Sequence, residues 1–250
     1  MAASELSKGA EVGKSAFARV TAMIYWLIML EIMFIVFTCP GWIASLFLAS
    51  VSSNVPLFVI CLLPVGPAVA AMVFAWRRRQ LEGPDLSPVA RFWRGYRLNF
   101  ADVLKWWVPL LIVVALGGFV AVNIRLTFLP AGMVWVFIGL GVLVGLWACH
   151  MLILTSVFSF RTRDAARLSM FFFFRCFPAT LLYLSLLVIC FGLTYLVGMW
   201  LPILVASILS TMYVRAAAAT MSIATDRFIA SVDTSAEPRD QGWPGTGDES

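Results

Sequence analysis

The chain has 250 residues, 62% of them hydrophobic and only 12% charged. That is about half the charged fraction of a soluble domain, and at this length six membrane spans with short connections are expected to leave no room for a soluble catalytic domain. The formal charge is +5, but the basic residues sit beside the apolar blocks, where they favour anionic lipid headgroups over nucleic acid.

The apolar residues run in blocks of about 20, the length of a membrane-crossing helix. Stretches such as Leu110 to Val122 and Met133 to Ala148 do not alternate, so the spans read as helices and not as strands of a barrel. Residues 1–18 are polar and of mixed charge, with Lys8, Lys14 and Arg19 approaching the membrane. Span 1 is predicted at about 20–38, ended by Pro40 and Gly41. The run from Met23 to Phe37 contains Glu31 and has no small-residue cleavage box after it, so an uncleaved span is expected rather than a signal peptide. The stretch 42–54 reads as an outer turn, a short interfacial helix or an extension of span 1.

Span 2 is predicted at about 55–76, with a helix break at Pro64, Gly66 and Pro67, because each proline removes a backbone donor. Arg77, Arg78 and Arg79 follow, then a polar turn from Glu82 to Asp85. Spans 3 to 6 are predicted at about 102–123, 132–160, 178–199 and 201–222. The polar tail, 225–250, has too few apolar residues to fold and is expected to be disordered. Of the Lys and Arg residues, all but Arg125 and Arg215 fall on one side of this arrangement. The positive-inside rule therefore puts both termini in the cytoplasm.

Segments 88–101 and 164–177 each combine arginines with aromatics before a tight pair of spans. Ala90–Arg91 and Ala166–Arg167 take matching places in them, and the segment from Ser15 to Arg19 reads as a degenerate third copy. The expected fold is an all-α membrane protein, with six transmembrane helices as three hairpins and short cytoplasmic interfacial helices.

At 100° per residue, Phe92, Trp93, Tyr96 and Phe100 share one helical face, and Arg91, Arg94 and Arg97 share the other. This is the pattern of an interfacial helix on lipid phosphates, or of a docking helix for a cytoplasmic partner. The run Phe92, Trp93, Arg94, Gly95, Tyr96, Arg97, Leu98, Asn99, Phe100 resembles the aromatic–arginine–Asn-Phe signature of the YesL-like family of bacterial membrane proteins. Gly66, Pro67 and Ala68 with Ala71 resemble that family's Gly-Pro-Ala stretch. Pro64 stands where a threonine is usual, and the region 39–55 is longer than typical. The resemblance implies a protein of the bacterial cell membrane that serves carbohydrate uptake, with sugar ABC importer subunits as partners. It brings no catalytic residues with it.

Glu31 falls near the middle of span 1, where a carboxylate is costly unless protonated, paired or facing water. Arg215 in span 6 is its candidate partner. His150, the single histidine, is expected to make a helix-packing hydrogen bond, and Gly141 with Gly145 to permit close helix approach. Cys39, Cys61, Cys149, Cys176 and Cys190 have no metal-site or disulfide spacing and read as packing residues. No catalytic site, cofactor or metal is expected. The leading expectation is a non-catalytic accessory protein, and the alternative is a transporter or channel with Glu31 and Arg215 lining the path.

Overall fold

The structure is a computed structural model that describes residues 2–82, 87–130, 132–157, 162–198 and 200–217. The expected tail, the connection at 83–86, the end of span 4 at 158–160 and the last part of span 6 lie outside these residues. The described residues are helical throughout apart from short connections. Five segments are long and apolar enough to cross a membrane: Phe17–Leu46, Ser52–Leu81, Pro88–Val122, Met133–Val157 and Phe177–Leu196. Their outward faces are apolar, with Ile24, Ile28, Ile32 and Ile35 all exposed on the first. Water would penalise such a face, and hydrocarbon would not.

Helix α1 (Ala2–Leu46) takes in both the polar N-terminal segment and span 1. It does not stop at Pro40, which the sequence pattern marks as its end. A proline inside a helix forfeits one backbone bond, whereas ending the helix there would orphan four carbonyls in an apolar medium. Continuation costs less. Of the three readings for 42–54, the extension holds as far as Leu46. Beyond it Phe47 and Leu48 donate back to the Ala44 and Ser45 carbonyls, closing the end with tighter turns.

The second apolar segment is interrupted. Helix α2 (Val55–Ile60) gives way to turns over 61–64, and helix α3 (Val65–Glu82) resumes at the Gly-Pro stretch. The gap is sealed from two sides. A Cβ on Gly41 of α1 would lie 2.1 Å from the Cys61 carbonyl oxygen, so only glycine lets the helix approach that closely. On the other side the Trp107 indole N–H donates to the Leu62 carbonyl at 3.3 Å, supplying a donor within the gap.

Helix α4 (Pro88–Val122) starts at Ser87, whose hydroxyl accepts from the Ala90 N–H. It is one continuous helix of 35 residues, so 88–101 is not a separate surface helix as expected. The sequence offers no break there: the one glycine, Gly95, faces inward against the Phe74 ring of α3. Helix α5 (Met133–Val157) follows. The segment after it does form its own helix, α6 (Thr162–Arg175), divided at Cys176 from α7 (Phe177–Leu196). Pro178 in the first turn of α7 lacks the N–H that would continue the ladder. The proposed repeats thus differ in build. Arg91 is buried, whereas its counterpart Arg167 is exposed.

The last described helix is also broken. Helix α8 (Trp200–Leu204) turns at Val205 and continues as α9 over 206–217. Contacts show successive long segments running in opposite directions. Trp26 meets Trp76 while Gly41 meets Cys61, and Gly66 meets Trp107 while Phe74 meets Gly95. The core centres on α3, where Ala68, Ala70, Ala71, Met72, Val73 and Ala75 are buried. Their small side chains let α1, α4 and α5 close around it.

Candidate functional site

Glu31 sits on α1 opposite the break between α8 and α9. Its Oε2 accepts a 2.7 Å hydrogen bond from the backbone N–H of Ser207, in the first turn of α9. That N–H is one of the donors a helix start leaves without an internal partner, and the carboxyl satisfies it from another helix. Oε1 is buried and has no hydrogen-bond partner. Arg215 is exposed and lies eight residues beyond Ser207, about 12 Å further along the helix. The two do not form an ion pair. The carboxyl is held by backbone and not by the distant guanidinium.

The segment from Arg91 to Phe100 divides differently from its helical-wheel pattern. Arg91 is only 5% exposed and its guanidinium lies 5.3 Å from the centre of the Trp26 ring. Phe92 and Gly95 are buried with it, while Arg94 and Arg97 are exposed. Arg91 therefore leaves the basic face to which periodicity assigns it, because α1 and α3 close over the first turns of α4. Phe37 of α1 packs against Phe92, Trp93 and Tyr96, the last at 4.4 Å between ring centres. Tyr96 also meets Phe100, whose side chain is exposed, as is that of Trp93. Asn99 is half-buried and its Nδ2 has no hydrogen-bond partner. Of the helix-break residues, Gly66 lies under the Trp107 ring, Pro67 is buried and Pro64 is half-buried.

Two further arrangements have partners that the sequence does not name. Trp26 and Trp76 lie 6.1 Å apart, and the Arg79 guanidinium covers both rings at 4.9 and 5.2 Å. With Arg91 on Trp26, residues from α1, α3 and α4 make one cation–π cluster. The arginine run after an aromatic was visible, but its partner Trp26, fifty residues earlier, carries no local signal.

The second arrangement joins α5, α7 and α9. His150 Nε2 lies 3.0 Å from the Thr180 hydroxyl, which itself donates to the Phe173 or Cys176 carbonyl. The hydroxyl therefore accepts from the histidine, which assigns the proton to Nε2. Nδ1 is buried with no hydrogen-bond partner. The Tyr183 ring stands edge-on to the imidazole at 4.8 Å and packs on Tyr213, whose hydroxyl donates to the Cys149 carbonyl. Among the described residues no three His, Cys, Asp or Glu side chains gather around a point where a metal ion would sit. All five cysteines are free thiols.

These features define an all-helical chain with several helices fit to cross a membrane, organised around a tightly packed α1–α3–α4 unit. A family model described as "Protein of unknown function, DUF624" matches residues 27–124, which include the second half of the α1 span and all of α3 and α4. It is the domain family to which the YesL-like proteins belong. No curated protein and no solved structure matches the chain.

Proposed function

We propose that the chain is a YesL-like accessory protein of the bacterial cell membrane. It crosses six times as three hairpins with both ends in the cytoplasm, and it supports carbohydrate uptake by contacting a sugar ABC importer, without chemistry of its own. One observation carries the contact: the aromatic–arginine motif is split between inside and outside. Its inward members, Phe92 and Gly95, pack α4 onto α1 and α3, while Trp93, Arg94 and Arg97 stay exposed on a rigid helix. Exposed tryptophan and arginine on a fixed backbone are the residue types that dominate binding hot spots. The sixth crossing rests on α8 and α9, with Leu201, Ile203 and Val214 among their apolar residues.

The break in the second segment also favours this reading over a transport path. It is closed by Gly41 and Trp107. Glu31 lies ten residues from Gly41, about 15 Å along the same helix, so the carboxyl and the break do not face one point. The test is affinity purification of the full chain in mild detergent. Importer subunits should co-purify and should be lost from Arg94→Ala/Arg97→Ala, with the helical content unchanged.

The transporter reading retains one favourable observation, the carboxyl of Glu31 at a helix discontinuity, the setting in which secondary transporters bind ions. Flux of a labelled monosaccharide or oligosaccharide into liposomes, abolished by Glu31→Ala, would establish it and displace the accessory role.

A further inference from the structure

We propose that Arg79, placed over the rings of Trp26 and Trp76 beside Arg91, binds a phosphate-bearing anion where α3 ends and α4 begins. The geometry of the guanidinium carries the proposal. Its central carbon lies over both indoles, 4.9 and 5.2 Å from the ring centres. Cation–π attraction to the rings uses the positive charge and not the N–H hydrogen bonds, so the guanidinium keeps the fork of donors that matches two oxygens of a phosphate. Among the described residues no carboxylate pairs with Arg79; the ion pair between Asp102 and Lys105 lies elsewhere on α4. Arg79 is half-buried and so partly open to solvent, while Trp26 and Trp76 are buried.

Charge supports the same ligand. Arg79 and Arg91 share the Trp26 ring, which keeps the two cations within about 10 Å, the screening length at 0.1 M salt. An anion with more than one charged oxygen answers the forked donors of Arg79 better than a single-charged carboxylate does. Such an anion comes either from a lipid headgroup at the end of the bundle or from a soluble phosphate. Arg167 of α6 is exposed and lies over no ring among the described residues, and it serves as an internal control.

The full chain, purified in a neutral detergent, is examined by native mass spectrometry and thermal unfolding. The probes are phosphatidylglycerol, phosphatidylcholine and inorganic phosphate, each added alone. Selective retention of phosphatidylglycerol with a raised Tm identifies a lipid site, and a raised Tm with inorganic phosphate alone identifies a soluble ligand. In either case Arg79→Gln should weaken binding about tenfold, and Arg167→Gln should leave it unchanged. Arg79→Lys, which keeps the charge and loses the fork, should fall between them and decides the matter if Arg79→Gln does not fold. Equal response to all three probes overturns the site, as do equal losses from Arg79→Gln and Arg167→Gln or full affinity in Arg79→Lys.

Discussion

Glu31 and Ser207, 176 residues apart in the chain, are joined by a 2.7 Å hydrogen bond from the backbone N–H of one to the carboxyl of the other. The bond ties the first long helix to the start of α9 at the point where the last helix is broken. Glu31 thus acts as a helix cap supplied from a different element, and this explains why an acidic residue is tolerated in span 1. Glu31→Ala should leave the Ser207 N–H unsatisfied in an apolar setting and cost about 1–3 kcal/mol. Glu31→Gln keeps an acceptor oxygen and should cost less. Thermal unfolding in detergent distinguishes the two.

Because Arg215 lies about 12 Å beyond Ser207 along the helix, it should be energetically independent of Glu31. Combining Glu31→Gln with Arg215→Gln should give additive changes, within about 0.5 kcal/mol. A coupling energy well above that in a double-mutant cycle would show that the two side chains meet after all.

The α3–α4 contact should be intolerant of even one methyl group at its two glycines. A Cβ at Gly66 would lie 2.7 Å from the Trp107 ring, and one at Gly95 would lie 2.8 Å from the Phe74 ring. Gly66→Ala and Gly95→Ala should each destabilise by about 1–3 kcal/mol through overpacking. Gly139→Ala and Gly141→Ala, where a Cβ meets nothing within 4 Å, should be close to neutral. A neutral Gly95→Ala would mean that α4 does not seat on α3 as described.

Thr180 is the acceptor for the His150 ring proton. Thr180→Val should strand that donor and lower stability by about 1–3 kcal/mol, and Thr180→Ser should restore most of it. Failure of serine to rescue would assign the effect to packing alone.

The six-span arrangement predicts opposite labelling at two loops. With the native cysteines replaced, a cysteine at position 83 should react with an impermeant probe only from the cytoplasm, and one at position 127 only from outside. Reaction of both from the same side would sink the arrangement.

Several features were legible in the sequence because their causes are local. Long apolar runs without alternation suffice to call for helices of membrane-crossing length. Closely spaced prolines at 64 and 67 suffice to call for an interruption, since proline removes a donor whatever surrounds it. The same logic misleads at Pro40, where the surroundings decide: continuing the helix loses one bond, and stopping it would lose several.

What only the tertiary structure decided is which neighbour each polar group has. Periodicity puts Arg91 with Arg94 and Arg97, but α1 lies across the first turns of α4 and encloses Arg91 against Trp26. Glu31 finds a backbone N–H on a helix at the far end of the chain. His150 was expected to bond another helix, but the sequence could not name Thr180. Local chemistry determines that these residues form helices and that those helices are apolar. The partner of a buried charge depends on contacts between residues tens to hundreds of positions apart, and no local pattern encodes them.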